Sequence, residues 1–388
     1  MKDFLPFSLP DIGDEEIDEV VQVLKSGWIT TGPKAIEFEE HFARFIGSKH
    51  AIALNSGTAA LHLALEAIGM KGGDQVVMSP LTFAATAEVV WYFGGKPVFV
   101  DIDEGTMNMD PLKFEEYISS HDNKRTRAVI PVHYGGLPCE MDRIMEIAQQ
   151  YGLRVIEDAA HAFPVKYQGQ MVGTIGDATC FSFYVTKPIT TAEGGMLTTN
   201  DDTIAERARI MRLHGISKDA WMRYTTQGNW YYEIIAAGFK YNLTDIGAAL
   251  GLVQLKRAYA MMEKRRQIAE IYNEAFKDLP EVKTPYLAGD HAWHLYVIRL
   301  DIEKLKIDRK QFIEELRARG IGTSVHFIPL HIHPFYRDTY HYQPNDYPIS
   351  FRVYTQIVSL PIYSKMSADD AYRVSDVVKE VVEKNRAS

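Results

Sequence analysis

The sequence predicts an α/β protein: a mostly parallel sheet with helices on both faces, followed by a smaller α+β unit. Two observations carry that reading. Between residues 50 and 157 short apolar runs alternate with helical patterns, as parallel strands joined by crossover helices do. After Asn200 the alternation stops and long helical stretches take over. We therefore expect a large domain, 1–255, with an N-terminal arm, and a small C-terminal domain, 256–388. A cleft between the two is the expected ligand site.

Asp14 to Lys25 has the apolar spacing of an amphipathic helix, stopped by Ser26-Gly27. Pro33 to about Phe45 is a second helix, with proline at its start, where a missing N–H costs nothing. The strands expected next are His50–Leu54, Gln75–Ser79, Pro97–Asp101, Ala128–Val132 and Leu153–Glu157. Between them lie helices at Ala59–Ile68, Ala84–Tyr92, Pro111–Ile118 and Met141–Tyr151. Thr179–Phe183 and Gly195–Thr199 read as two further strands. Thr203–Leu213 and Leu243–Phe276 read as helices, the second broken near Arg257–Ala260. The tail reads as strand Trp293–Leu300, helix Arg309–Arg319, strand Thr323–Phe327 and helix Ala368–Lys384.

The 388 residues carry 42 Lys and Arg against 51 Asp and Glu, a net charge of −9. That balance excludes a broad phosphate-binding surface for nucleic acid, so any phosphate is expected to be held locally, by a loop and a helix end. Cys139 and Cys180 can form at most one bridge and have no metal-ligand spacing around them. A reducing, cytoplasmic setting without a metal site is expected. The opening residues MKDFLPFSLPDIGDEE turn acidic and lack an apolar core, so they do not read as a signal peptide. No run approaches the roughly 20 apolar residues of a membrane span.

Three motifs carry chemistry. In Leu54-Asn55-Ser56-Gly57-Thr58-Ala59-Ala60-Leu61 a strand ends, a glycine turns the chain and a helix starts. Such a start offers free N–H groups and the positive end of the helix dipole to an anion, although an ordinary capped helix has the same pattern. In Val155-Ile156-Glu157-Asp158-Ala159-Ala160-His161 two acids sit at the carboxyl end of a strand, where open α/β sheets place ligands. Successive strand residues point to opposite faces, so only one of Glu157 and Asp158 is expected to face a pocket. A carboxylate there can keep a pyridinium nitrogen protonated; it can equally cap the next helix. Taken alone, His161 reads as a hydrogen-bonded histidine of core or rim. The third motif leaves a strand at Cys180-Phe181-Ser182-Phe183, crosses a polar loop with one lysine, Lys187, and ends at Glu193-Gly194-Gly195. In chain order the three give a phosphate cradle, a pyridinium partner and an amine that bonds a carbonyl, the equipment of pyridoxal-phosphate chemistry. No GxGxxG follows any strand, which excludes a plain nicotinamide reductase.

With these motifs in place, SGTAAL, TFAAT, EDAAHA, FSF–TK–AEGG, YNLTDIGAALGLVQL, HAWHLYVIRL and GTSVHFIPLH resemble, in that order, the DegT/StrS sugar-nucleotide aminotransferases. The resemblance runs from GWITTGPK at Gly27–Lys34 to SLPIY at Ser359–Tyr363. It implies the aspartate-aminotransferase fold, fold type I of pyridoxal-phosphate enzymes, with a sheet of the seven-stranded type. HGISKDAWMRY at His214–Tyr224 and GNWYYE at Gly228–Glu233 resemble members that make 4-amino-4-deoxy sugars, of the spore-coat polysaccharide and lipid A 4-amino-4-deoxy-arabinose types. By the same resemblance, Lys187 is the lysine that bonds pyridoxal 5'-phosphate, Asp158 partners its ring nitrogen, His161 contacts its phenolic oxygen and Phe83 stacks on its ring. Gly57, Thr58 and Ser182 match phosphate contacts. Asn242 matches a contact reaching the phosphate from the neighbouring subunit, which implies a homodimer with shared active sites. Trp28, Ile29, Thr30, His326 and His331 fall in segments that line the sugar-nucleotide site in relatives. The implied reaction moves an amino group from L-glutamate to the 4-keto carbon of a nucleotide-linked sugar, UDP-linked by expectation. It would serve cell-surface polysaccharide, lipopolysaccharide or other glycan synthesis, with neither nucleic acid nor membrane as partner.

Two positions depart from the family pattern. Pro188 follows the lysine where asparagine is common, and Ala192 replaces the first glycine of GEGG. Both are expected to bear on the loop that positions Lys187. A related branch carries histidine for the lysine and removes a hydroxyl; Lys187 argues against that chemistry. The rival readings are an aminotransferase for a 3-keto sugar or cyclitol, a cofactor-dependent sugar dehydratase, and a non-catalytic cofactor-binding regulator. The last wants a DNA-binding module, for which neither terminus shows the charge.

Overall fold

The computed structural model describes residues 4–121, 124–216 and 231–387. Two helices lead, α1 (Asp14–Ser26) and α2 (Pro33–Ile46). Seven strands then make one sheet, in the order β1 (His50–Leu54), β9 (Gly195–Thr199), β8 (Ala178–Ser182), β5 (Arg154–Asp158), β4 (Thr126–Ile130), β2 (Gln75–Met78) and β3 (Lys96–Phe99). β9 runs antiparallel to both its neighbours, and the remaining pairs are parallel. A small hairpin, β6 (Lys166–Tyr167) and β7 (Gln170–Met171), stands apart from the sheet.

The sheet is covered on both faces because its strands are apolar on both. Val76 and Met78 of β2 join a core with residues of α3 (Gly57–Ala67), α4 (Ala84–Tyr92) and α7 (Asp202–Met211). Val77 between them joins a second core with α5 (Pro111–Ser120) and α6 (Met141–Gln150). That alternation is the strand period of two read out in packing.

α8 (Asp245–Phe276) is one continuous helix of 32 residues. The break expected near Arg257–Ala260 is absent, and the reason is compositional: no glycine or proline occurs between Leu252 and Phe276. Its first part packs with α2 through Leu252, Leu255, Ala258 and Met261. Ile268, Ala269, Tyr272 and Phe276 belong to a different core, built on a three-stranded antiparallel sheet of β10 (Val282–Lys283), β11 (Tyr296–Leu300) and β12 (Ile357–Leu360). α9 (Arg309–Ala318) and α12 (Ala368–Asn385) pack on that sheet, while α10 (Pro334–Tyr340) and α11 (Pro348–Gln356) lie between α9 and β12 in the chain. The strand expected at Thr323–Phe327 reduces to one bridge, Ser324 with Ser359, because His326 and Phe327 turn to a cavity instead of a neighbouring strand. The N-terminal arm adds a bridge of its own, Leu5 to Ile321.

Cys139 and Cys180 are both buried and free. Among the described residues, no helix is long and apolar enough to cross a membrane. Residues 217–230, which hold most of the HGISKDAWMRY and GNWYYE segments, lie outside the described residues.

Candidate active site

A cavity of about 400 Å³ opens where β1, β5 and β8 end and β9 begins. Three parallel or near-parallel strand ends place their following loops side by side there, so motifs far apart in sequence meet. Its wall brings together Gly57, Thr58, Phe83, Asp158, His161, Ser182, Lys187 and His326.

The turn after β1 leaves backbone N–H groups at a helix start, an arrangement that suits an anion. Ser56 caps α3, accepting from the Ala59 N–H at 3.0 Å. The N–H groups of Gly57 and Thr58 stand in the same first turn, at the positive end of the helix. A side chain at position 57 would come within 2.9 Å of Ser182 Cβ, and one at 195 within 2.4 Å of the Ser56 carbonyl carbon. Glycine at both positions lets β8 and β9 close on the turn.

Asp158 is buried at the end of β5. One carboxylate oxygen accepts from Thr86 Oγ1 at 2.8 Å and the other from the Ala160 N–H at 3.2 Å. Burial pushes its pKa up, against those two hydrogen bonds and the nearby Lys187 charge. The Lys187 amine is likewise enclosed: burial brings its pKa down to about 8, with Asp158 opposing. Phe83, at the start of α4, is 62% exposed, so its ring has a face that the protein leaves uncovered.

The histidines are held neutral. His161 Nδ1 accepts from the Gly135 N–H at 3.3 Å, which puts the ring proton on Nε2. Its pKa lies well below the usual range through burial, with the Lys187 charge adding to it. His326 Nδ1 bonds Ser359 Oγ at 2.9 Å, Phe7 stacks on its ring at 5.3 Å, and burial brings it to about 4. A buried carboxylate short of a cation, a buried amine, an open helix end and an uncovered aromatic face together fit pyridoxal phosphate.

Five expected residues are not in this wall. His331 is fully buried, its Nε2 3.2 Å from the Pro344 carbonyl and its ring packed edge-on against Tyr347 at 4.9 Å, so it does not line the cavity as expected. Trp28, Ile29, Thr30 and Asn242 form a separate group. The Trp28 indole donates to the Thr31 carbonyl and Asn242 Nδ2 to Thr31 Oγ1 at 2.6 Å, while the Thr30 carbonyl accepts from the Asp245 N–H. Ile29 is half exposed. Asp245 fixes the segment by accepting from the Gly32 and Ala35 N–H groups at 2.7 and 3.0 Å, a cap for α2 supplied across the chain.

Reading the sequence missed Phe7, Thr86, His294 and Phe327 as site residues. Thr86 was within the quoted TFAAT and His294 within HAWHLYVIRL, but nothing in either spacing singles them out. Ala192 explains its own departure: its φ is 67°, the left-handed region in which glycine is the unstrained residue. Pro188 has no comparable structural explanation.

Fold and site together define a pyridoxal-phosphate enzyme of fold type I. Residues 10–379 match the DegT/DnrJ/EryC1/StrS aminotransferase family, and the chain belongs to it. It is 55% identical over 385 residues to an uncharacterized protein of Methanocaldococcus jannaschii, with 99% of each chain covered. It is 50% identical over 382 residues to the spore coat polysaccharide biosynthesis protein SpsC of Bacillus subtilis, covering 98% of this chain and 97% of that one. The putative sugar aminotransferase Spr1654 from Streptococcus pneumoniae, solved in a PMP-form, has a TM-score of 0.90 at 32% identity, with 98% of this chain and 99% of that chain covered. The same protein is also solved in a PLP-form.

Proposed function

We propose that this enzyme is a sugar aminotransferase that takes an amino group from L-glutamate and places it on the 4-keto carbon of a UDP-linked keto-deoxy sugar, in the cytoplasm, for a cell-surface polysaccharide. One observation carries the reading: the Lys187 amine and the Asp158 carboxylate, both buried, share one cavity with an open helix end. The similarity to SpsC and to Spr1654 supports a sugar as substrate.

The cofactor, when bound, supplies an electron sink for the carbon that loses its proton. Asp158, held by Thr86, keeps a proton on the ring nitrogen by presenting it a carboxylate. His161 offers its Nε2–H to the phenolic oxygen, and Phe83 covers the ring. Gly57, Thr58 and Ser182 take the phosphate. Lys187, with its pKa brought down to about 8, is a base near neutrality and moves a proton to and from the carbon that bears the nitrogen. Asn242, Trp28, Ile29 and Thr30, which do not line the cavity of their own chain, serve that of a second subunit in a homodimer. His326 faces the sugar. We keep a division into large and small domains, with the change of core inside α8, between Met261 and Ile268.

The test separates the two half-reactions by absorption spectroscopy. Glutamate is expected to bleach the cofactor band; after removal of the donor, one 4-keto nucleotide sugar from a panel of 4-keto and 3-keto compounds restores it within seconds. Restoration by a 3-keto sugar or a cyclitol ketone alone would replace the proposed substrate. A band that never forms would remove Lys187 from the chemistry.

A further inference from the structure

His294 lies in the cavity wall, and none of the roles above uses it. It follows Trp293, whose φ of 50° puts a bulky residue in the left-handed region, a conformation that persists only where its surroundings impose it. Those surroundings are the Trp293 N–H donating to His291 Nδ1 at 2.8 Å and the Trp293 and His291 rings stacked at 4.0 Å. The strained turn delivers the His294 ring to a position 4.5 Å from that of His161. There its Nδ1 is buried without a hydrogen-bond partner. Burial holds the ring neutral, with the positive charges of Lys187 and Arg265 acting the same way. A neutral imidazole has one N–H to place. On Nδ1 it would be a buried donor with no acceptor; on Nε2 it lies on the ring edge left to border the cavity.

We infer that His294 is a specificity-determining residue of the acceptor site, donating its Nε2–H to a hydroxyl of the keto sugar beside the reacting carbon. The inference rests on the sugar reading above. Glutamate reacts at Lys187 in the same cavity, so the role of His294 rests on the neutral donors beside it. His161, His294 and His326 border the cavity as neutral imidazoles, and no arginine lines it among the described residues. The carboxylates of glutamate are met best by a guanidinium or ammonium; neutral N–H donors match the hydroxyls of a polyol. His326 repeats the design, with Nδ1 anchored on Ser359 Oγ.

The holoenzyme variants His294→Phe, which keeps a ring without a donor, and His294→Gln, which keeps a donor, decide the matter in the two half-reactions. His294→Phe is expected to slow the sugar half-reaction about ten-fold while leaving the glutamate half-reaction within about two-fold, the loss of one neutral hydrogen bond. His294→Gln is expected to recover part of that loss. Equal losses in both halves, a loss confined to glutamate, or no loss would each overturn the inference. If His294→Phe does not fold, nitrogen-15 NMR of the wild-type rings serves in its place. His294 is expected as the Nε2-protonated tautomer, with that resonance shifting when the nucleotide sugar is added; an Nδ1-protonated ring overturns it. Wild-type enzyme that no sugar returns to its starting spectrum would instead mark failure of the sugar reading itself.

Discussion

Glu157 and Asp158 are neighbours on β5, both buried, yet they sit in opposite chemical circumstances. Glu157 does not line the cavity, and both of its carboxylate oxygens have protein partners. His133 Nε2 donates to one oxygen at 3.0 Å; the Gly176 N–H and the Thr179 hydroxyl donate to the other at 2.8 and 2.7 Å. His133 is itself fixed, its Nδ1 accepting from the Cys139 N–H at 3.1 Å. Burial alone would raise the Glu157 pKa, but these partners hold it below the usual carboxylate range. Asp158 has two donors and a lysine whose own proton is loosened by burial, and there burial wins. A carboxylate saturated with partners is scaffold. One left short of a positive partner beside a cavity is a socket for a cationic ligand. Backbone strain divides the same way. Left-handed Ala192 and Trp293 adjoin cavity-lining Glu193 and His294, whereas none of the residues around Glu157 is so strained.

The largest expected effect is at the cavity. Lys187→Arg keeps the charge but cannot bond the cofactor's carbonyl, so turnover should fall by at least about a thousand-fold in a folded protein. Normal turnover in that variant would sink the assignment. The two acids should then part company. Asp158→Asn should lower kcat by about a hundred-fold with little change in the unfolding transition, since what it loses is charge toward the ligand. Glu157→Gln should do the reverse, costing about 1–3 kcal/mol in denaturant unfolding and leaving kcat of the folded enzyme within about two-fold. If both variants lose activity and stability alike, the division between socket and scaffold is wrong.

Much of this was legible in the sequence, for identifiable reasons. The apolar runs of β2, β4, β5 and β8 announce strands buried on both faces, and their alternation with helical patterns announces the parallel sheet. The ordered motifs around Gly57, Asp158 and Lys187 were legible because each is local, a strand end and the loop after it, and the structure brings them into one cavity wall. The antiparallel direction of β9 was not legible, since a strand's direction is set by its neighbours. The alternating residues of Thr323–Phe327 have strand character, but the cavity claims the side chains of His326 and Phe327. His331 looked like its near neighbour His326 in a substrate segment, and five residues of chain carry it into the aromatic shell with Tyr347. Thr86 shows the limit most plainly: its bond to Asp158 spans 72 residues, and no periodicity encodes it.

A smaller effect tests whether Lys187 is held under charge stress. Its folded pKa of about 8 lies below the ordinary 10.5. Below pH 8 folded and unfolded chains both carry the proton, and the full cost of a buried charge is present. Between 8 and 10.5 the unfolded chain binds the proton that the folded one has released, so stability rises with pH. Cofactor-free Lys187→Met should therefore be more stable than the native chain by about 1–3 kcal/mol at neutral pH, a gap that closes toward pH 10.5. A gap that is the same at pH 7 and pH 10 would be packing, not charge.

The smallest effect concerns strain on the same side. Ala192 adopts φ 67° beside Glu193 and Gly194 of the cavity wall, and glycine there would shed the Cβ penalty while adding freedom to the unfolded chain. The balance favours Ala192→Gly by about 0.5–1 kcal/mol in denaturant unfolding. Activity should stay within about two-fold, because the loop is pinned independently of that residue's size. Thr190 Oγ1 accepts from the Ala192 N–H at 3.0 Å and donates to the Phe183 carbonyl at 3.1 Å, and the Thr190 N–H reaches Gln254 at 3.3 Å. A stabilised but slower variant would mean that the strain itself helps hold Lys187 in place. A destabilised one would mean that the alanine is not strained, and the contrast with the Glu157 side would then rest on hydrogen bonding alone.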